Sequence, residues 1–303
     1  MKNYKGIIFV AVAAALWGTS GLSVKNLSGT GLSEIGIVFG RSVFACFMLG
    51  VYLLVFDRKA FSVKPKDLWL FALIGIASIT FFNYCYFTAM RVVGISTAAV
   101  LLYTAPIFVM LISVLFLGEK LNLIKILCCF FAVVGCALVS GFAGTMPTVG
   151  KAGLALGLGA AFGYSLYGIF SSMLLKKGYS AITITFYAFV FSVAGCACIT
   201  GKNIPSLFNT VFSDVRSVVF LTVLALANTI IPYILYSEGL KTVAPTVAII
   251  IATVEPVVAT VLDITVYKKY PDIFGYTGIA IILTAILILN LFGKGKKRNE
   301  TSK

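Results

Sequence analysis

Glu255 is the residue whose type and place most call for chemistry. It sits inside the apolar run IIIATVEPVVATVLD, Ile249 to Asp263, with Pro256 straight after it. If that run crosses a membrane, a carboxylate at its centre costs about 2.5–3.5 kcal/mol on insertion scales. Such acids face a cavity or a partner and mark ion or substrate paths. An acid closed off from water keeps its proton and releases it when wetted. Two readings stand side by side. Glu255 is a proton-coupling residue that takes a proton and a substrate ammonium in turn, or it stays protonated and donates one structural hydrogen bond across a bundle. Pro256 withdraws a backbone donor from the carbonyl of Ala252, and Pro106 does the same to Leu102. Both read as kinks that mark a midplane cavity or a hinge, or as bends that fit helices into a bundle.

Other residues could bind rather than react. The stretch FFNYCYF brings Asn83, Tyr84, Tyr86 and Phe87 close together, and Trp17, Tyr103, Tyr167, Asn228, Tyr233 and Tyr236 lie in other apolar runs. Rings stack on an apolar solute or attract a cation; their polar tips can hold an amino or carboxyl group. Packing and lipid contact account for any one of them equally well. Arg41 and Asp263 are expected at similar depth, so they could form an intramembrane pair, or each could snorkel to an interface.

Absences narrow the chemistry. There are seven cysteines and no histidine, so imidazole metal sites and histidine-based catalysis are excluded. Cys196 and Cys198 in a C-x-C spacing are weak evidence for a metal, and the cysteines read as small buried hydrophobes. No G-x-x-x-x-G-K-[ST] phosphate loop is present, so the chain itself does not burn ATP. Neither a metal nor a cofactor is expected, and an intramembrane enzyme is the poor alternative.

The elements that position these residues follow from composition. The chain of 303 residues is 60% hydrophobic and 11% charged, against about 25% charged in a soluble domain. One water-facing core cannot absorb that surplus, so the solvent is lipid. A helix needs roughly 20 apolar residues to cross it. Ten such spans are expected, near 6–26, 33–55, 68–89, 96–117, 124–142, 153–175, 180–199, 216–237, 246–266 and 273–292, with short connections. The runs are continuous rather than alternating, which disfavours a β-barrel.

The net charge of +14 points to topology rather than to nucleic acid. With the N-terminus cytoplasmic, sixteen of the 24 Lys and Arg fall inside and seven outside, while Arg41 lies within a span. Both termini are then cytoplasmic, and the basic tail GKGKKRNETSK anchors against anionic lipid. The start MKNYKGIIFVAVAAALWG imitates a signal peptide.

A shift of 150 positions lays the sequence partly on itself. Leu16–Gly18 falls on Leu166–Gly168, Arg41–Cys46 on Phe191–Cys196, Tyr86 on Tyr236, and Pro106 on Pro256. One constant offset across five helices indicates duplication. Five is odd, so the halves face opposite ways, as in secondary transporters. The expected class is an all-α integral membrane protein, ten transmembrane helices in two inverted five-helix repeats. The divisions are 1–145, 146–293 and the tail 294–303. The first helix has a twin at 153–175 and is therefore read as retained. Gly153, Gly157, Gly159 and Gly163 give that twin small-residue spacings suited to close helix packing.

With ALWGTS in the first helix, AAVLLYTAPIFVMLISVLFLGEKL in the fourth and TVAIIIATVEPVVATVLD in the ninth, the chain resembles the EamA-type members of the drug/metabolite transporter superfamily over about residues 6–292. It departs from them at Lys269, the twin of Glu119, where members often repeat the GE ending. Glu119 is therefore read as capping a helix end. The resemblance implies a central cavity lined mainly by helices 1, 3, 4, 6, 8 and 9, hence by Trp17, Asn83, Tyr84, Tyr103, Tyr167, Asn228 and Tyr233. It also implies outward movement of small metabolites such as amino acids across a bacterial plasma membrane. The expected partners are a small-molecule substrate and the bilayer, with no nucleic acid, for a monomer or homodimer. The alternatives are a multidrug or organic-cation exporter, in which Glu255 holds the cation, and an uncoupled facilitator or lipid-handling scaffold.

Overall fold

The structure, a computed structural model, describes residues 2–141 and 150–292. The basic tail 294–303 and the expected junction between the halves at 145 and 146 lie outside the described residues. Every expected span is helical: α1 Tyr4–Leu27, α2 Glu34–Phe56, α3 Pro65–Val93, α4 Ile95–Leu117, α5 Leu123–Val139, α6 Lys151–Lys176, α7 Ala181–Ser213, α8 Val215–Leu240, α9 Pro245–Tyr267 and α10 Ile273–Phe292. Among the described residues nine of these are long and apolar enough to cross a membrane, and α5 is a shorter apolar helix of 17 residues. No strand occurs among the described residues. The protein is an all-α membrane protein.

Local chemistry fixes the helix starts. Ser33, Asn122 and Ser180 sit in extended backbone and accept from the N–H of Gly36, Lys125 and Thr183, each an N-cap onto an otherwise orphaned donor. The seventh span runs past its expected end. After Thr200 the chain makes one tight turn and resumes as a helix over Ile204–Ser213, which buries Leu207 and Val211 and exposes Phe212. That amphipathic piece was expected as a connection; its polar Asn and Ser content hid a helical face.

Helix ends repeat at the same offset. α4 closes on Gly118 at φ 62° and α9 on Lys268 at φ 55°. The next N–H, of Glu119 or Lys269, returns to the carbonyl of Ser113 or Asp263. Both are left-handed caps, and Lys268 is the sole non-glycine at positive φ among the described residues. Related irregularities recur inside the spans. A π-helical stretch covers Leu73–Phe81 in α3 and Leu226–Ile230 in α8.

Counterpart helices pack on one another: α2 on α7, α4 on α9 and α5 on α10. Ser42 and Ser192, 150 positions apart, share a buried hydrogen bond of 3.1 Å, which Thr80 joins through its hydroxyl. Between α5 and α10 the backbones nearly touch, since a Cβ on Gly278 would lie 2.6 Å from the carbonyl oxygen of Gly135. The continuous buried core draws on α1 to α10. Large apolar side chains such as Phe47, Leu115, Phe130 and Leu291 stay exposed, as a lipid-facing surface requires.

The shared cap geometry makes a prediction. A left-handed Lys carries a cost of about 1–2 kcal/mol that glycine avoids. Lys268→Gly should therefore raise the thermal midpoint in detergent, and Gly118→Lys should lower it by a similar amount. Midpoints that move together in either direction would remove the strain argument.

Candidate functional site

α9 is interrupted at Thr253, three residues before Pro256. The helix runs Pro245–Ala252 and restarts over Val254–Tyr267. Thr253 folds back, its hydroxyl on the carbonyl of Ile250 at 2.6 Å and its N–H on the same oxygen at 3.2 Å. α4 does the same. It runs Ile95–Leu102 and Ala105–Leu117, and the Thr104 hydroxyl sits 2.6 Å from the carbonyl of Leu101. Pro106 and Pro256 each lie in the first turn of the second piece, where a missing N–H has no intrahelical partner to lose. The threonines, unremarked in the sequence, cap the broken ends.

The break gives Glu255 its setting. It stands in the first turn of the restarted helix, where the helix dipole favours a negative charge. Its counterpart in α4 is Ala105. Helix 1 is also broken opposite it, at Thr19, between Lys2–Gly18 and Ser20–Ser28. A Cβ on Gly18 would lie 2.6 Å from the carbonyl oxygen of Glu255 and 2.9 Å from Cβ of Val258, so only glycine admits this approach of α1 to α9.

Two small cavities meet beside the break. One is lined by Trp17, Ser78, Tyr164, Tyr167, Tyr233 and Tyr236, and the other by Tyr103, Pro106, Tyr164, Thr253 and Glu255. Tyr164 and Ile249 border both. Each has a volume of about 10 Å³, room for about one water. α1, α3, α4, α6, α8 and α9 all contribute, the six helices that the resemblance implies.

The first cavity is an aromatic box. The Trp17 ring lies 5.2 Å from Tyr233 and 5.3 Å from Tyr236, and Tyr167 meets Tyr233 edge-on at 4.7 Å. The Tyr167 hydroxyl is engaged by Ser237 at 2.9 Å. Among the described residues the buried Nε1 of Trp17 and Oγ of Ser78 have no hydrogen-bond partner, an arrangement that leaves polar tips to meet a polar solute. In the second cavity the Tyr164 hydroxyl donates to Oε2 of Glu255 at 3.4 Å, beyond the usual O–H···O range. Glu255 is half-buried, and no ion pair reaches it among the described residues. A carboxyl so loosely held can exchange partners.

The other expected site residues lie elsewhere. Asn83 is buried, but it donates to the carbonyl of Ile79 at 2.7 Å and accepts from Arg41 at 3.3 Å, and it lines neither cavity. Asn228 donates to the carbonyl of Leu16 at 2.6 Å and to the Thr19 hydroxyl at 2.7 Å, so it braces the break in α1. Tyr84 is 44% exposed and lines neither cavity. Arg41 and Asp263 are not brought together: Arg41 turns to Asn83 while Asp263 is exposed. The cysteines are free and mostly buried, with Cys198 exposed, and no group of metal-binding side chains forms among the described residues. Ser78, Thr253 and Tyr164 line the cavities and were missed by the sequence reading; the one that bonds to Glu255 is Tyr164. Its one signal was a phenol two positions after Phe162, on the face that passes the glycines of α6.

Comparison with known proteins places this geometry. Residues 4–141 and 151–291 each match the model of the EamA-like transporter family. An uncharacterized transporter of Clostridium kluyveri is 26% identical, covering 99% of this chain and 96% of its own. An uncharacterized transporter of Archaeoglobus fulgidus is 27% identical over 92% of this chain and 94% of its own. The uncharacterized inner membrane transporter YicL of Salmonella typhimurium is 21% identical over 97% and 98%. A protein of known crystal structure superposes with a TM-score of 0.74 at 17% identity, over 95% of this chain and 97% of that one, a likeness of fold.

Close packing at the break is testable by itself. Gly18→Val should cost about 1–3 kcal/mol through overpacking, read as a lower thermal midpoint. Gly21→Val is the control, since a Cβ there meets nothing within 4 Å. Equal midpoints for the two variants would show that α1 and α9 are not in this contact.

Proposed function

The chain belongs to the EamA-like transporter family, and from that premise we propose that it exports a small metabolite, an amino acid being the type expected, by alternating access with proton exchange at Glu255. Residues 1–145 and 146–293 form two inverted halves that rock against each other around the breaks in α4 and α9. Both termini lie on the cytoplasmic side of a bacterial plasma membrane.

The observation that carries this reading is the place of Glu255. It is an acid in the first turn of a helix restarted inside a transmembrane span, bordering a cavity and held by one long hydrogen bond. A carboxyl with a purely structural role would be expected to own a short, well-aligned partner. Cavities of about 10 Å³ cannot hold a metabolite, so loading requires the helices to part. The paired breaks at Tyr103–Thr104 and Thr253 supply points at which half-helices can pivot. The shared Tyr164 joins the acid to the aromatic box, so an ammonium on Glu255 would leave the rest of a solute against the rings.

The same box favours a second reading. Trp17, Tyr167, Tyr233 and Tyr236 beside an acid suit an organic cation through ring faces and charge. In that case the transporter is an organic-cation exporter, and proton exchange still passes through Glu255.

The test is reconstitution into liposomes that enclose a pH-sensitive dye, with amino acids and organic cations offered in turn. One solute class should drive proton movement in the natural protein. Glu255→Gln, which keeps the shape and removes the titrating group, should abolish that movement. Solute flux without proton movement in the natural protein would make this a facilitator. Proton movement persisting in Glu255→Gln would move the coupling away from this residue.

A further inference from the structure

A second carboxylate is buried at one end of the bundle, away from the cavities. Glu119 follows Gly118 in the hairpin between α4 and α5, and its side chain is 10% exposed. Its Oε1 accepts from Nζ of Lys125 at 2.7 Å and also from the hydroxyl of Thr246. Lys125 belongs to the same hairpin, but Thr246 is in the first turn of α9, in the other half of the chain, and is fully buried. Oε2 of Glu119 is buried without a partner among the described residues. Glu119 also borders a hollow of about 260 Å³ whose other walls include Leu117 from the first half and Lys241 and Pro245 from the second. The contact therefore crosses the seam between halves at a mouth of the bundle.

At the offset of 150, Thr246 corresponds to Ser96 and Glu119 to Lys269. The turn itself is preserved there, with Lys268 in the conformation of Gly118 and Lys269 returning its N–H as Glu119 does. The hydroxyl is preserved too. The acid is replaced by a base and Lys125 by Gly275, and Ser96 and Lys269 are both exposed and share no hydrogen bond among the described residues. One mouth is tied by a buried acid, and the opposite mouth keeps the turn and the hydroxyl without the acid or its lysine.

We propose that Glu119 and Thr246 form a one-sided latch that holds the α4–α5 hairpin against the start of α9 and keeps that mouth of the transport path shut. The inference rests on the alternating-access reading. Releasing Thr246 frees the first piece of α9, Pro245–Ala252, which ends at the Thr253 break just before Glu255. The latch is poised to open because it is incomplete. With Oε2 unpaired, part of the cost of burying the carboxylate is uncompensated, and opening would wet it. Lys125 stays with Glu119 in either state because both lie on one hairpin. A brace within one half would gain nothing from Thr246; a gate needs a partner that leaves.

Hydrogen–deuterium exchange on the full-length protein in detergent, without solute, tests the latch. Thr246→Val removes the hydroxyl at nearly constant volume, and Ser96→Ala is the control at the untied mouth. Thr246→Val should raise exchange severalfold over residues 117–123 and 246–252 while leaving 94–97 and 267–273 unchanged, with little loss of thermal midpoint. Glu119→Gln should do the same, and Ser96→Ala should do neither. Unchanged exchange at the tied mouth would overturn the latch, and so would a uniform rise at both mouths with a lower midpoint, which marks a general brace. The readout involves no solute and no proton. A one-sided opening in a protein that moves no solute in liposomes would keep the latch and discard the transport reading, whereas proton-coupled flux with no exchange response would do the reverse.

Discussion

No backbone N–H or carbonyl can be left open in hydrocarbon, and the rest of this structure depends on how that constraint is met. It makes every apolar span a helix, and it allows a helix to break only where something else supplies the lost partners. The chain breaks α1, α4 and α9 all the same. At each break a threonine folds its hydroxyl onto a carbonyl of the preceding turn: Thr19 on Leu16, Thr104 on Leu101 and Thr253 on Ile250. Asn228 of α8 adds a donor to the carbonyl of Leu16. The breaks are thus confined to places that the bundle and a few hydroxyls can cover, and these are the places that border the cavities.

Duplication explains why the covering works twice, and its departures show where one job was assigned to one half. Ser42 meets Ser192, Gly118 matches Lys268, and the α4 break matches the α9 break. Against that background several charges have no like-charged counterpart, among them Glu255 over Ala105, Glu119 over Lys269, and Arg41 over Phe191. A scaffold made from two like halves needs none of these charges for its shape, because the twin, uncharged or of opposite sign, folds the same way. Each lone charge costs stability in lipid, so each points to a task that the two halves do not share.

Much of the fold was legible because lipid simplifies the code. A continuous apolar run has one outcome, and the ten runs gave ten helices with ends shifted by a few residues. The piece Ile204–Ser213 escaped because its period of buried Leu207 and Val211 is short and carries Asn and Ser. The site was less legible. Glu255 and the prolines announce themselves by cost, and Trp17, Tyr103, Tyr167 and Tyr233 border the cavities. Asn83, Asn228 and Tyr84 share the same chemistry yet face elsewhere, because side-chain direction around a helix with a π-helical stretch does not follow from composition. Arg41 was expected near Asp263 by depth alone; depth says nothing about which helices are neighbours, and α2 packs on α3, α7 and α8 instead.

The lone charges also differ in how they are held, and the difference orders their roles. Glu119 has two donors on one oxygen and one oxygen bare. Arg41 has a neutral amide at 3.3 Å and a buried Nε without a partner among the described residues. Glu255 has one phenol at 3.4 Å. A group that must release its partner once per cycle cannot be bound tightly, since every kcal/mol of holding becomes barrier to the next step. On the proposed reading, Glu255, the most loosely held and the nearest to the aromatic box, is the group that turns over with each solute. Glu119 is held firmly enough to define a resting state and incompletely enough to leave it. Under the proposed mechanism the exchange step lies at the centre of the helix and the control of access at its end, with the Thr253 break as the joint between them.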